Sequence, residues 1–359
     1  MSIPHQILKR YWKFSEFRPH QLEIIEAVLD QQDCIALLPT AGGKSICFQI
    51  PALIKEGICI VISPLIALMQ DQVKGLNAKG IKATALTNLD QLGDLERILD
   101  NCIFGNYKFL YLSPERLQNA LVQERIKSMD VHLIAVDEAH CISQWGHDFR
   151  PAYRSIKDIR SLCPKATVLA LTATATKKVI CDIDEQLALK QSKLFKGSFF
   201  RKNLSYKTII FEDKNFKIKA LLKNNKQSAI VYTSSRRATQ QLAQMLNLNG
   251  ISSGYFHGGL SNKEKEHQYN QWISDKTNVI VATNAFGMGI DKANVSLVVH
   301  TDIPESLEHY FQEAGRAGRN QDKAEAVLLI GTNDIQNTQK WRIDQIVDVT
   351  YIKLIYKKL

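Results

Sequence analysis

Two successive series of short, β-branched apolar runs organise this 359-residue chain. Helix-length amphipathic stretches separate the runs, a pattern typical of parallel sheets with helices on both faces. The runs of the first series are Asp33–Leu38, Ile58–Ile62, Lys82–Leu86, Lys108–Leu112, Val131–Val136 and Thr167–Leu171. Those of the second are Tyr206–Phe211, Ser228–Tyr232, Ser252–Phe256, Asn278–Ala282, Ser296–His300 and Glu325–Ile330. The pattern therefore predicts an α/β chain of two lobes, each built on a mostly parallel sheet.

The boundary between the lobes is predicted at residues 197–204, which follow the first series and precede the second. We therefore expect a first domain over residues 1–200 and a second over residues 201–340. A chain of this length is long enough for two units that each bury a core.

The α/β alternation stops after about Asp334. Beyond it, Ile346, Val349 and Ile352 are spaced as on one face of a helix. We interpret residues 341–359 as the start of a helical accessory domain that is truncated or missing.

The net charge is +10, from 46 Lys and Arg residues against 36 Asp and Glu residues. Such an excess favours a polyanionic partner, although a solubility role is an equal alternative on charge alone. No apolar run approaches the roughly eighteen residues that a membrane span needs. The N-terminal residues 1–5 lack an apolar signal core, so we expect a cytoplasmic protein that has no membrane partner.

All seven cysteines precede the second series of runs, and none forms a Cys-x-x-Cys pair. Most lie inside apolar runs, where a buried, reduced thiol is the ordinary state in a cytosolic protein. We therefore expect neither disulfides nor a zinc site. The seven are Cys34, Cys47, Cys59, Cys102, Cys141, Cys163 and Cys181.

A glycine-containing loop follows the run Asp33–Leu38 and precedes a helix-like stretch. Small residues let backbone N–H groups turn toward a phosphate at a helix N-terminus. A lysine in such a loop reaches the β- and γ-phosphates of ATP, and the following serine ligates Mg²⁺. Because Leu38 stands where the strict pattern has glycine, this is a relaxed P-loop, and the alternative is an ordinary strand–turn–helix corner. The candidate nucleotide-binding residues are Thr40, Gly42, Gly43, Lys44 and Ser45.

Two adjacent acids end the apolar run Val131–Val136. Ligands of open α/β sheets bind at the carboxyl ends of strands. We expect Asp137 to hold the Mg²⁺ of the nucleotide and Glu138 to polarise the attacking water. A surface turn is the favoured interpretation of an isolated acidic pair, and the glycine loop reverses that preference.

In this order, the motifs resemble those of superfamily 2 helicases, and their particular forms resemble the RecQ branch. The segment Phe17-Arg18-Pro19-His20-Gln21 resembles the adenine-reading motif of that family. The resemblance implies that Arg18 and Gln21 contact the adenine and that Phe14 stacks on it. It also implies two tandem RecA-like lobes.

Residues 139–151 resemble the aromatic-rich loop of the RecQ branch, which senses single-stranded DNA. Trp145 and Phe149 are suited to stacking on bases, and Arg150 to adding a charged, planar contact. A purely hydrophobic anchoring role is the alternative for the two aromatic residues, but the loop lacks core periodicity. Further residues stand in segments that resemble strand-contacting motifs: Ser63, Arg116, Ser234, Arg236, Thr283 and Asn284.

The second series of runs carries two more motifs of the family. Residues 281–291 resemble a motif that touches both nucleic acid and nucleotide, which implies nucleotide contacts for Gly289 and Asp291. Residues 310–319 resemble the arginine-finger helix, whose cations stabilise charge on the transferred phosphoryl group. Arg316 and Arg319 are three positions apart, and we expect them on one helical face with Arg319 as the finger. Gln312 is expected to help position the water.

Three departures from the family pattern stand out. Ala41 replaces a P-loop glycine and would hinder a positive φ there. Asn320-Gln321 replaces the usual Asp-Gly after the finger motif. No cysteine follows Cys181, so the family's zinc module is not expected before Leu359, and the chain is either a catalytic core or lacks those accessory parts.

The resemblance implies an ATP-dependent DNA helicase that uses Mg²⁺, moves 3′ to 5′ on single-stranded DNA and unwinds forked or duplex DNA in repair or recombination. A monomeric core is expected. One alternative is an RNA helicase or duplex translocase of the same superfamily. Another is a DNA-stimulated ATPase or strand-annealing module whose unwinding is weak without accessory domains.

Overall fold

The computed structural model describes residues 2–40, 42–87, 92–146, 148–287, 292–320 and 322–344. The chain divides into two compact units, residues 1–201 and residues 202–359. Each unit contains one parallel β-sheet. The prediction of two α/β units with parallel sheets is confirmed, and a strand is present at every predicted run.

The first unit is built on a seven-stranded sheet in the order β3-β4-β2-β5-β6-β1-β7, with every pairing parallel. Its strands are β1 (Cys34–Leu37), β2 (Ile58–Ile62), β3 (Ala83–Leu86), β4 (Phe109–Leu112), β5 (Val131–Val136), β6 (Thr167–Thr172) and β7 (Lys193–Lys196). Its helices are α1 (Ile3–Ile7), α2 (Gln21–Leu29), α3 (Ile46–Ile54), α4 (Ile66–Asn77), α5 (Leu92–Phe104), α6 (Ala120–Lys127), α7 (Ile156–Leu162) and α8 (Lys177–Gln186). Short helical turns occupy Leu8–Trp12, Pro114–Gln118, Ala139–Ile142 and Pro151–Ser155.

Successive residues of a strand point to opposite faces of the sheet, so each central strand of this unit supplies two cores. On one face Ile60 and Ile134 pack with residues of α5 to α8. On the other face Val61 and Ala135 pack with residues of α2 to α4. Burial on both faces explains why these strands are continuous apolar runs.

The second unit is built on a six-stranded parallel sheet in the order β10-β11-β9-β12-β13-β8. Its strands are β8 (Leu204–Ile210), β9 (Ser228–Tyr232), β10 (Ser253–Phe256), β11 (Val279–Ala282), β12 (Val295–His300) and β13 (Ala324–Ile330). Its helices are α9 (Lys214–Lys223), α10 (Arg236–Leu248), α11 (Asn262–Ile273), α12 (Leu307–Ala314) and α13 (Asp334–Asp344). Ile230 packs in one core and Val231 in the core on the opposite face.

The sequence did not predict β7, an edge strand with mostly exposed residues that pairs with β1. Of residues 341–359, interpreted as the start of a helical accessory domain, residues 341–344 form the end of α13, and the remainder lies outside the described residues.

Candidate functional site

The glycine loop connects β1 to α3 at the carboxyl edge of the first sheet. Gly43 has φ of +72°, a conformation that favours glycine. A Cβ atom on Gly43 would lie 2.4 Å from Gln21 Nε2, and one on Gly42 would lie 2.8 Å from the Pro39 carbonyl oxygen. Both glycines are therefore required by the local fold. Ala41 lies outside the described residues.

Gln21 braces this loop from the start of α2. Its Nε2 donates to the carbonyl oxygens of Gly42 and Gly43 at 3.1 and 3.0 Å, and its Oε1 accepts from the Arg18 N–H at 2.9 Å. The side chain is buried. In this structure the amide that was predicted to contact adenine holds the loop, while the ring of Phe14 is 55% exposed and open to stacking.

The acidic pair meets the lysine of the loop. Lys44 Nζ lies 3.8 Å from Glu138 Oε1, and both side chains are largely buried. Glu138 adopts a left-handed backbone conformation with φ of +47°, and its N–H donates to Asp137 Oδ1 at 3.0 Å. The tight turn after β5 thus places two carboxylates and one ammonium group close together.

Burial and the neighbouring Glu138 charge together raise the pKa of Asp137 to about 6, against the opposing effects of Lys44 and of the Glu138 N–H hydrogen bond. A hard divalent cation prefers such carboxylate and hydroxyl oxygens. Asp137 and Ser45 therefore fit the Mg²⁺ that accompanies a nucleotide, since the added positive charge would relieve the crowding of the two carboxylates.

Sequence analysis did not identify His140 as a site residue. Its Nδ1 lies 2.9 Å from Thr172 Oγ1 and 3.4 Å from Glu138 Oε2. The Thr172 hydroxyl in turn donates to the Thr174 carbonyl at 3.0 Å. His140 therefore connects the acidic pair to the end of β6. Its position two residues after Glu138 was the feature of the sequence that could have indicated a role in the site.

The predicted DNA-sensing loop continues from the same turn. The indole of Trp145 is 62% exposed, and Lys178 Nζ lies 3.1 Å from its ring centroid. Ser143 Oγ donates to Asp182 Oδ2 at 2.5 Å, so helix α8 holds the loop at two points.

The remaining predicted residues of this loop also have intramolecular contacts. The Phe149 ring is half-buried, with the Arg154 guanidinium carbon 5.2 Å from its centroid. Arg150 Nη1 donates to the Pro64 carbonyl at 3.1 Å.

Two other residues of the first unit were predicted to contact DNA. Ser63 is buried, and its N–H donates to the Leu112 carbonyl at 3.1 Å. Arg116 is half-buried, and its Nη2 donates to the Thr87 carbonyl at 3.0 Å. In this conformation both residues therefore contribute to the local fold of the loops that carry them.

In the second unit, the corresponding predictions fall on loops at the carboxyl ends of β9 and β11. Ser234, Arg236 and Asn284 are exposed, whereas Thr283 is buried. The Ser234 N–H donates to Asp302 Oδ2 at 2.9 Å, which holds the first of these loops. Strand order therefore brings most of these side chains to one exposed edge of the sheet.

The two arginines do not share a helix face, so that expectation is wrong. Helix α12 ends at Ala314, and Arg316 and Arg319 lie in the turns that follow. Gly318, with φ of +65°, stops any continuation of the helix. Arg316 is buried and Arg319 is half-buried.

Aromatic and ionisable groups surround Arg316. Burial raises the pKa of the Tyr232 phenol, and the neighbouring Arg316 cation, which also hydrogen-bonds to it, opposes that rise. His300 stacks on Tyr232, and its Nε2 lies 2.9 Å from Glu313 Oε2. Gln312 is half-buried on α12.

Gly289 and Asp291 lie outside the described residues. Within the described ranges, no helix is both long and apolar enough to cross a membrane. The same ranges contain no group of three or more His, Cys, Asp or Glu side chains arranged to hold a metal ion. The seven cysteines are free thiols, and all except Cys181 are buried.

Two protein-family models match the chain, one in each unit. Residues 18–183 match the DEAD/DEAH box helicase model, and residues 213–321 match the helicase conserved C-terminal domain. The glycine loop and the acidic pair lie within the first matched segment, and Arg316 and Arg319 lie within the second.

The chain is 43% identical over 342 residues to the ATP-dependent DNA helicase RecQ of Bacillus subtilis, covering 94% of this chain and 58% of that protein. It is 38% identical to the probable ATP-dependent DNA helicase RecS of the same organism, covering 94% of this chain and 68% of that protein. The fold resembles that of the Mycobacterium smegmatis helicase Lhr bound to single-stranded DNA and AMP-PNP, with a TM-score of 0.72, 19% identity, and coverage of 92% and 47% of the two chains.

Proposed function

The chain belongs to the RecQ family of ATP-dependent DNA helicases, and on that premise we propose that it couples ATP hydrolysis to movement along single-stranded DNA and to duplex separation. One observation carries the proposal. Glu138, the candidate for activating water, and Trp145, the candidate for sensing a base, lie in one short segment after β5, separated by the helical turn Ala139–Ile142. His140 on that turn also contacts Thr172 at the end of β6. A movement of Trp145 on contact with a base would therefore shift the position of the Glu138 carboxylate.

In this proposal the first unit binds the nucleotide. Thr40, Gly42, Gly43 and Lys44 cradle the phosphates, and Ser45 and Asp137 hold Mg²⁺. The metal would neutralise charge on the phosphate oxygens. Glu138 polarises the attacking water, and the Lys44 ammonium lies 3.8 Å from its carboxylate. Phe14, Arg18 and Gln21 form the adenine side, where Gln21 acts through the backbone of the loop.

The second unit supplies the cations of the reaction. We assign Arg319 to the γ-phosphate, because its half-buried position leaves it more accessible than the buried Arg316. Arg316 is a supporting residue that the Tyr232 and Glu313 surroundings hold in place. Gln312 assists the water, and Gly289 and Asp291 complete the proposed nucleotide contacts.

Single-stranded DNA contacts the exposed loops in this proposal. Trp145 and Phe149 stack on bases, while Arg150, Ser63 and Arg116 act in the first unit. Ser234, Arg236, Thr283 and Asn284 contact the backbone in the second unit. Movement from 3′ to 5′, a role in DNA repair or recombination and a cytoplasmic monomer are proposed from the family alone.

Strand separation on tailed duplexes tests the proposal. Duplexes with a 3′ single-stranded tail, a 5′ tail or no tail are incubated with the chain, ATP and Mg²⁺, and released strand is measured. We expect release from the 3′-tailed duplex alone and no release with Glu138→Gln. Equal release from both tailed substrates would contradict the polarity. DNA-stimulated hydrolysis without release would favour the ATPase or annealing alternative, which matters because the chain spans 58% of its RecQ relative.

A further inference from the structure

A partly buried chain of hydrogen bonds reaches Ser45 from helix α4. The Tyr111 hydroxyl donates to Gln72 Oε1 at 2.9 Å, and Gln72 Nε2 donates to Ser45 Oγ at 3.4 Å. Gln72 lies on α4 and Tyr111 on β4, whereas Ser45 precedes α3. The candidate metal ligand is therefore connected to a helix that contributes no other residue to the phosphate loop.

Tyr111 fixes the orientation of the Gln72 amide. The phenol is 1% exposed, and burial raises its pKa far above neutrality, so it keeps its proton. The side chain of Gln49, on α3, also hydrogen-bonds to Tyr111 and lowers the phenol pKa, as a donor to the phenol oxygen does. The Tyr111 proton is thus left to donate to Gln72 Oε1, and this contact turns the amide N–H₂ of Gln72 toward Ser45.

The contact from Gln72 restricts the Ser45 hydroxyl. A serine hydroxyl has two acceptor lone pairs and one proton, and it rotates freely unless a partner fixes it. With one lone pair accepting from Gln72, the other remains for a cation. The half-buried amide is therefore placed to orient the metal-binding oxygen.

The other end of α4 adjoins the predicted DNA-contacting loops. Helix α4 begins at Ile66, directly after the Ser63-Pro64-Leu65 segment. The Pro64 carbonyl accepts from Arg150 of the aromatic loop at 3.1 Å. A shift of these loops on DNA contact would therefore move the first turn of the helix that carries Gln72.

We propose that Gln72 is a positioning residue that orients the Ser45 hydroxyl for Mg²⁺ and makes this orientation responsive to DNA at the start of α4. The inference rests on the proposed function, because it assigns Ser45 to the nucleotide-bound metal. Outer-shell hydrogen bonds of this kind typically change metal affinity by about 10- to 100-fold when removed.

The test measures binding of a fluorescent ATP analogue to the full chain without DNA, as Mg²⁺ is titrated. Gln72→Met removes both polar atoms at similar size, and Gln70→Met makes the same change at an exposed position of the same helix. We expect the half-saturating Mg²⁺ concentration to rise about tenfold for Gln72→Met. Tyr111→Phe, which removes only the outer hydrogen bond, should raise it about two- to threefold. Gln70→Met should match the unmodified chain, and melting temperatures report any loss of folding.

A second readout separates positioning from a merely structural role. At saturating Mg²⁺, the ratio of ATP turnover with and without single-stranded DNA should fall for Gln72→Met relative to Gln70→Met. An unchanged Mg²⁺ requirement in folded Gln72→Met and Tyr111→Phe would overturn the role of Gln72 alone. An unmodified chain that binds no analogue at any Mg²⁺ concentration would overturn the proposed function as well.

Discussion

The candidate site residues of the two units differ in charge although both units are built on a parallel sheet. In the first unit, Asp137 and Glu138 crowd together beside Lys44. In the second unit, Arg316 is buried beside the Tyr232 phenol, and Arg319 follows it in the chain. The acidic pair directly follows strand β5, whereas the arginines follow helix α12 and precede β13. In both units the apolar residues of the strands are buried on two faces.

The difference shows that two units with the same kind of sheet obtain different chemistry from the turns that follow their strands and helices. In the first unit, a glycine loop and the left-handed backbone conformation of Glu138 create a candidate site for phosphate and metal. In the second unit, the end of helix α12 at Ala314 and the turn through Gly318 position two positively charged side chains, Arg316 and Arg319. Hydrolysis of a nucleotide needs both kinds of group.

Removal of the half-buried arginine tests the comparison most severely. We expect Arg319→Ala to lower the turnover number for ATP by about 10³-fold, since an arginine finger contributes about 10³- to 10⁵-fold. Analogue binding should change far less. The control is Lys323→Ala, which removes an exposed positive charge from the same unit. Equal turnover in the two variants would show that the cationic turns of the second unit take no part in hydrolysis.

The acidic turn of the first unit is tested by Glu138→Gln. Loss of the group that polarises the water should lower turnover by about 10²-fold or more, with analogue binding retained. Glu124→Gln, an exposed carboxylate of the same unit, serves as the control. If Glu138→Gln retained more than half of the turnover, the acidic pair would have no catalytic role and would be an ordinary surface turn.

The raised pKa of Asp137 gives a prediction about stability. The folded-state pKa of about 6 exceeds the ordinary value of 3.8, so the stabilising effect of protonation is complete below about pH 4 and is lost as pH rises through 6. Asp137→Asn should therefore raise the unfolding free energy of the ligand-free chain at pH 7, on the order of 1–3 kcal/mol. Chemical denaturation from pH 4 to pH 8 measures this. A gain that is the same at every pH would refute the assignment.

The smallest effect is expected at the aromatic loop. Trp145→Ala should raise the single-stranded DNA concentration for half-maximal ATPase stimulation by about tenfold, since stacking contributes about 1–3 kcal/mol per base. Turnover without DNA should change little. Phe104→Ala, which removes another exposed aromatic ring from the first unit, is the control. If both variants respond to DNA alike, the indole is not the sensor.

The fold could be predicted from sequence to a large extent because its strands are buried on both faces. Such strands are apolar throughout, so their runs stand out, and each predicted run contains a strand. Strand β7 was missed because Lys193 and Lys196 frame a four-residue edge strand whose residues are mostly exposed. Its pairing with β1 depends on a contact distant in sequence.

The site could be predicted only as far as its motifs. The glycine loop and acidic pair lie together as expected, with Lys44 near Glu138. The hydrogen bonds of Gln21 to the glycine loop, of Gln72 to Ser45 and of His140 to Thr172 join residues that are distant in sequence. Motif spacing along the chain does not predict such contacts. The prediction that Arg316 and Arg319 share a helix face was wrong because Gly315 and Gly318 follow α12 and the helix ends before the arginines. The three-residue spacing of the arginines does not indicate where a helix ends.

The most direct test of the account is steady-state ATP hydrolysis by the chain with no nucleic acid, with single-stranded DNA and with RNA of the same length. We expect strong stimulation by DNA, weaker stimulation by RNA and turnover lowered by about 10²-fold or more in Glu138→Gln under every condition. Hydrolysis that is indifferent to DNA, or that only RNA stimulates, would contradict the coupling of the acidic turn to a DNA-sensing loop.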